Sequence, residues 1–276
     1  MVIGEIRRAV RALLLLLHIL LGVLITLGVV LMPAAARARS VPPLRRWWLS
    51  RSGAILGLKV MNHGAPAAGP VLLVANHISW LDILVLATQS RACFVAKAEI
   101  SDWPVIGWLA EVGGTLFIRR GDHKSYREVL ATVIRRLQGG EPIVVFPEGT
   151  SHAAVSPAQF RPRMFQAAVD AGAGVQPVAL YYGVGSDNLG RIAYVGDDTF
   201  VRSLWELLGE RRLLAEVTFL PMLPSSGQSC RELATEAWLG VVRATEQLAA
   251  FEHEAHHHSD ASAEQETAAP RHPVTP

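Results

Sequence analysis

The chain has 276 residues, half of them hydrophobic, and a formal net charge of +2. That length bounds it to one sizeable domain or two small ones, and the near-neutral charge gives no electrostatic support for nucleic-acid binding. The hydrophobic share is high for a soluble enzyme and fits a membrane-associated one.

The first element is an apolar run over residues 13–32, in which His18 is the only ionisable side chain. At about 1.5 Å per residue such a helix covers roughly 30 Å, the hydrocarbon thickness of a bilayer. Arg7, Arg8 and Arg11 precede it, and Arg37, Arg39, Arg45 and Arg46 follow. Residues 1–40 are therefore expected to form an N-terminal membrane anchor. The competing reading is a signal peptide, because Ala34-Ala35-Ala36 offers a cleavage site, but the run is long for a signal sequence. A helix that enters the membrane and returns is a third possibility. Arginine at both ends orients the helix only weakly; the excess on its C-terminal side favours a catalytic domain facing the cytoplasm. The next segment, Leu44-Arg45-Arg46-Trp47-Trp48-Leu49, has two readings of equal weight. One is a membrane-interface patch, the other an ordinary packed helix start.

From residue 71 short apolar runs alternate with helical patterns. Strands are expected at 71–75, 93–96, 115–118, 143–146, 178–182 and 217–220. Helices are expected at 81–88, 125–138, 164–171, 200–208 and 231–250. The 125–138 helix shows the pattern well, with Val129, Leu130, Val133, Ile134 and Leu137 on one face and Gly139-Gly140 as its stop. The alternation predicts an α/β fold: a single catalytic domain over 41–251 with a mixed sheet flanked by helices. Residues 252–276, rich in Ala, Glu, His and Pro, are expected to be a disordered tail. Cys93 and Cys230 lie far apart without ligand spacing, so neither a disulfide framework nor a metal site is assigned.

The chemistry concentrates in Asn76-His77-Ile78-Ser79-Trp80-Leu81-Asp82, directly after the first of these strands. A histidine takes a proton from a hydroxyl near neutral pH, and a carboxylate fixes its tautomer and stabilises the imidazolium. Five positions apart on one helix the two would diverge. They meet if His77 sits in the loop after the strand and Asp82 in the first turn of the next helix. Three further blocks follow in order: Gly114-Thr115-Leu116-Phe117-Ile118-Arg119-Arg120-Gly121, then Ile143-Val144-Val145-Phe146-Pro147-Glu148-Gly149-Thr150, then Val175-Gln176-Pro177-Val178-Ala179-Leu180. Together the four blocks resemble the motifs of the glycerolipid acyltransferases, the family that includes 1-acylglycerol-3-phosphate acyltransferase, over roughly residues 70–220.

The resemblance implies direct acyl transfer from a thioester to an alcohol, with His77 as general base and Asp82 as its orienting carboxylate. Asn76 is expected to fix the loop or donate to substrate. It implies that Arg119, with Arg120 as neighbour, contacts an acceptor phosphate, and that Glu148, Gly149 and Thr150 help bind the glycerol-phosphate region. Ser79 is excluded as a nucleophile because the family forms no acyl-enzyme, and no Gly-x-Ser-x-Gly elbow occurs. Partners implied are a lysolipid, the membrane, and acyl-carrier protein or acyl-CoA as cytosolic co-substrate, with no cofactor. Such donors also argue for retention at the inner (cytoplasmic) membrane. Two departures bear on the acceptor. Ser151 stands where the family often has arginine, and Phe160-Arg161-Pro162-Arg163 replaces a Phe-Lys-x-Gly run, with Arg161 and Arg163 as extra cations. The Gly149-Thr150-Ser151 form resembles acyltransferases of lyso-ornithine lipid. The expected reaction is acylation of 1-acylglycerol-3-phosphate to phosphatidic acid. Lyso-ornithine lipid or another lysophospholipid is the alternative acceptor, and a non-catalytic lipid-binding protein is the alternative from a different class.

Overall fold

The segment Val71-Leu72-Leu73-Val74-Ala75 is apolar at every position, which suits a strand covered on both faces. It forms β2 (Val71–Ala75), in which all five residues are buried. The structure, a computed structural model, describes residues 2–119, 121–151, 156–183, 192–194 and 199–267, with side chains described through Phe251. Among these, the other strands are β1 (Leu58–His63), β3 (Cys93–Lys97), β4 (Leu116–Ile118), β5 (Ile143–Val145), β6 (Gly174–Tyr181) and β7 (Leu213–Phe219). They join in one sheet of order β1-β7-β6-β2-β5-β3-β4. The run from β6 to β4 is parallel, β7 is antiparallel to β6, and β1 is parallel to β7, so the sheet is mixed.

The pleat of β2 sorts the core into two halves. Val71, Leu73 and Ala75 pack with Leu56, Leu81, Val85 and Leu207, whereas Leu72 and Val74 pack with Val133, Leu137, Phe165 and Val241. One face is therefore covered by α2 (Ala34–Leu56), α3 (Leu81–Gln89) and α7 (Phe200–Gly209). The other is covered by α5 (His123–Gln138), α6 (Gln166–Ala171) and α8 (Cys230–Thr267). Parallel strands need crossovers, and these carry every strand exit of β2, β5 and β4 to the same edge of the sheet.

The expected strands are all present within a few residues of their predicted limits, as are the helices apart from the C-terminal end of the last one. Three elements escape the sequence patterns. Strand β1 is mostly exposed and pairs only at the sheet edge. Helix α4 (Ile106–Val112) is only seven residues long. Helix α2 runs through Pro42 and Pro43 and carries five arginines. Each proline removes a backbone donor; packing against α1 (Val2–Val30) and α3 holds the helix together. It also crosses the expected boundary at residue 40. Helix α8 continues to Thr267, past residue 251, after which the disordered tail was expected to begin. Its nucleus is already formed on the sheet, so Ala- and Glu-rich sequence extends it without a new nucleation cost.

All but the last two residues of the apolar run lie within α1, which packs on α2, α4 and α7. Its inward positions, Gly4, Arg8, Arg11, Leu15, His18, Gly22, Ile25 and Val29, alternate in steps of three and four, the seam of a packed helix pair. Its outward face is a continuous stripe including Leu13, Leu17, Leu20, Leu24 and Leu27. The arginines before the run do not simply flank it. Arg7 Nε donates to Gly209 O and Arg8 Nε to Trp205 O, each at 3.0 Å, and Arg11 donates to Leu208 O and Glu210 O. These cations complete the C-terminal carbonyls of α7. At mid-helix His18 stacks on Trp48 at 5.1 Å between ring centres and its Nε2 meets Trp48 O at 3.0 Å. A Cβ at Gly22 would lie 2.7 Å from Trp48 Nε1, so only glycine admits this contact. The Leu44–Leu49 stretch divides between its two readings. Arg45 turns inward to Gly113 O at 2.7 Å, while Trp47 stays 39% exposed.

Candidate active site

The loop after β2 and the first turn of α3 bring His77 and Asp82 together. His77 Nδ1 lies 2.7 Å from Asp82 Oδ2. That oxygen also accepts from Ile78 N–H at 2.8 Å and Ser79 N–H at 3.0 Å. Asp82 Oδ1 accepts from the Tyr182 hydroxyl at 2.6 Å. Asp82 is wholly buried, whereas the His77 side chain keeps 20% of its surface. A buried carboxylate needs such donors to offset its lost hydration. With Nδ1 committed to Asp82, the neutral ring carries its proton there and presents Nε2 as the basic nitrogen. The ring rests on Phe146 with centroids 4.2 Å apart.

Asn76 and Glu148, both expected in the site, are buried and bonded to backbone, Asn76 in the loop-fixing role that was one of its two expected ones. Asn76 is 2% exposed; its amide donates to Leu180 O at 2.9 Å and accepts from Leu180 N–H at 2.7 Å. It fastens the His77 loop to β6. Glu148 is 3% exposed; Oε1 accepts from His77 N–H at 2.8 Å and Oε2 from Ala158 N–H at 3.1 Å. It ties the loop after β5 to the His77 backbone. Burial pushes the Glu148 carboxyl up to about 7, against the two N–H bonds that favour its ionised form.

His77 opens into a cleft of about 290 Å³ whose walls include Val95, Arg119, Phe146, Gly149, Arg161 and Arg163. Arg119 comes from the end of β4. Gly149 has φ +78°, and a Cβ there would sit 3.1 Å from Arg161 Nη1. The bare backbone thus lets the Arg161 guanidinium lie over the loop, with Arg161 N–H bonded to Pro147 O at 3.1 Å. Arg163 stacks over the Tyr126 ring at 4.4 Å. Thr150 is half-buried and is not among the lining residues; Arg120 lies outside the described residues. Ser151 faces away, its hydroxyl bonded to Tyr194 O. On the other side of β3 runs an apolar groove of about 340 Å³, walled by Ile19, Trp48, Trp80, Phe94, Trp103 and Leu109 among others.

Comparison with known proteins agrees with this geometry. The sequence description of the family named Acyltransferase matches residues 57–181. A lyso-ornithine lipid O-acyltransferase from Pseudomonas aeruginosa is 39% identical over 201 residues, covering 71% of this chain and 78% of that protein. The chain belongs to the acyltransferase family. A 1-acyl-sn-glycerol-3-phosphate acyltransferase from Neisseria gonorrhoeae is 34% identical over 166 residues, 60% of this chain and 65% of that relative. The crystal structure of the LPA acyltransferase PlsC from Thermotoga maritima shares the fold, with a TM-score of 0.64 and 24% identity over 88% of this chain and 98% of that one.

This acyltransferase is an enzyme of the group that works on lysophospholipids and related lysolipids. Three of the four sequence blocks meet in one cleft through His77, Arg119 and Gly149, with Asp82 directly behind His77, and the fourth holds the His77 loop through Leu180. Sequence spacing did not mark Tyr182 as a partner of Asp82. Its position two residues after the fourth block is the one clue, and a strand-end tyrosine is ordinarily read as core.

Proposed function

We propose that the protein transfers a fatty acyl group from a cytosolic thioester, acyl-carrier protein or acyl-CoA, to the free hydroxyl of 1-acylglycerol-3-phosphate. The observation that carries this reading is the His77–Asp82 pair at the wall of a cleft with three arginines. His77 Nε2 takes the proton as the hydroxyl oxygen attacks the thioester carbonyl carbon. The carbon–sulfur bond then breaks, and the imidazolium returns the proton to the departing thiolate. Asp82 holds the ring and balances its transient charge.

Arg119, Arg161 and Arg163 suit a doubly charged phosphate monoester, because guanidinium forks match its oxygens. Trp80 lies three residues beyond His77 and walls the apolar groove. A lipid with its headgroup in the cleft and a chain in the groove places the reacting centre between them. A second reading has lyso-ornithine lipid as acceptor. It is favoured by the named activity of the Pseudomonas relative and by Asp122, a carboxylate on the cleft wall suited to an ornithine amine. Purified protein assayed in mixed micelles with both lysolipids tests the two. Preference for the phosphate lipid, reduced by Arg119→Ala, supports the first; exclusive use of lyso-ornithine lipid overturns it in favour of the second.

The same reading places the protein at the cytoplasmic face of the inner membrane. Both ends of α1 pack on the domain, near α7 and α4, while its leucine stripe faces outward. This supports a helical hairpin buried from one side over a helix that crosses the bilayer. Protease protection of a tag at residue 1 tests it: the tag should be cut from the cytoplasmic side only.

A further inference from the structure

Tyr182 has no part in the reaction as derived above, yet its hydroxyl ends on the catalytic pair. The side chain is 1% exposed, and the phenol donates to Asp82 Oδ1 at 2.6 Å. The three donors on Oδ2 all come from the His77 loop itself, within five residues of Asp82. Tyr182 reaches the other oxygen from the end of β6, a hundred residues away in sequence. Burial and the neighbouring Asp82 charge push its own ionisation well above the ordinary phenol value, so the proton stays on tyrosine and the bond has one direction.

We propose that Tyr182 is a positioning residue for acyl transfer, clamping the Asp82 carboxylate in the orientation and charge distribution that His77 requires. This rests on reading His77 and Asp82 as the catalytic pair. Without the phenol, Oδ1 is a buried carboxylate oxygen that has lost its tyrosine donor, while Oδ2 keeps its three. The carboxylate also concentrates its charge on the oxygen facing His77. The imidazolium would then hold its proton more tightly, and the neutral ring needed as base would be populated only at higher pH. Tyr182 disperses that charge. Among the described residues, the other ionisable groups around His77 are Glu148 on its backbone and, on the cleft wall, Arg119, Asp122, His123, Tyr126, Arg161 and Arg163. None of these changes when the tyrosine hydroxyl is removed.

The test is Tyr182→Phe in the full-length enzyme, with His77→Ala assayed beside it. Tyr182→Phe is expected to lower kcat about ten-fold, the scale of one hydrogen bond to a charged group, with KM for the lysolipid unchanged. The acid limb of the kcat/KM profile should move to higher pH. In an Asp82→Asn background the added Tyr182→Phe should change kcat by less than about two-fold, because the two act through one bond. A 3-fluorotyrosine placed at position 182 keeps the packing and donates more strongly, so it should move the acid limb the opposite way. An unshifted profile in both the Phe and fluorotyrosine enzymes overturns the proposal, whatever happens to kcat, since packing alone leaves the profile in place. If His77→Ala retains turnover, the catalytic pair itself is misassigned. If His77→Ala is inactive while Tyr182→Phe matches wild type, only the role of Tyr182 fails.

Discussion

The basic cleft and the apolar groove are close in size, about 290 and 340 Å³, and opposite in chemistry. They are separated by a single strand. On β3 Val95 faces the cleft, while Phe94 and Ala96 face the groove. The alternation of a strand's side chains thus sets a charged surface and an apolar one back to back, as the proposed headgroup and chain sites require. The His77–Trp80 turn repeats the division at the sheet edge, with the imidazole on the polar side and the indole on the apolar side. A lipid enzyme needs both surfaces within one molecule's length of the reacting hydroxyl, and parallel topology supplies them by bringing strand exits to one edge.

The severest way to break this arrangement is to remove what lies where the two sides meet. His77→Ala should lower turnover by about two to four orders of magnitude, the usual cost of losing a general base, while circular dichroism stays native. Near wild-type turnover would show that His77 is not the base. A step down in size, Arg119→Ala or Arg161→Ala should act on the polar side alone. Each charge-assisted phosphate contact contributes on the order of 1.5–3 kcal/mol. KM for the phosphate lysolipid should therefore rise about ten- to a hundred-fold, with little change in acyl-chain preference. A shift in chain preference from Arg161→Ala would mean the two compartments are not independent.

The reciprocal change belongs to the groove. Ala110 on α4 lines it, and Ala110→Phe should fill part of its length. Each methylene that no longer fits forfeits about 0.8 kcal/mol of burial, roughly four-fold in selectivity per carbon. Competition between acyl donors of graded length should show preference moving to shorter chains, with headgroup discrimination intact. Unchanged chain preference would remove the groove from the acyl path.

How much of this was legible in the sequence depended on the range of each interaction. The His77–Asp82 pair spans five residues, so the strand-loop-helix context alone set its geometry. The α5 helix carried its own apolar periodicity and an Asp122 cap, which accepts from Lys124 and Ser125 N–H. By contrast Glu148 was expected to be a substrate contact because the family resemblance implied that its loop binds the acceptor. Only the fold shows that both its oxygens are occupied by backbone N–H groups, one of them 71 residues distant. Arg7, Arg8 and Arg11 likewise read as topology signals beside an apolar run. Their acceptors, carbonyls about 200 residues on, have no local signature. The pairing of α1 with α2 was hidden because proline and arginine in α2 mask a helix that tertiary contacts hold in place.

Glu148 offers the finest test, because it stands behind the polar side without lining it. Its folded carboxyl sits at about 7, above the ordinary 4.5, since burial outweighs the two N–H bonds. Below about pH 4.5 the group is protonated whether the chain is folded or not, and its stabilising contribution is fully present. Between there and about pH 7 the unfolded chain gives up the proton while the folded one keeps it. The contribution therefore falls as pH rises, and levels off above about 7. Glu148→Gln cannot ionise, so the informative quantity is the difference in Tm between wild type and this variant across pH 4 to 8. For a chain of this size 1 kcal/mol moves Tm by only about 2–4 °C. The wild-type advantage should be largest at low pH and shrink by a few degrees toward neutrality. A difference that grows with pH instead would mean that the His77 and Ala158 N–H groups hold Glu148 ionised. The loop behind the cleft would then be fastened by charge, and the polar side of the molecule would extend one layer deeper than the cleft wall.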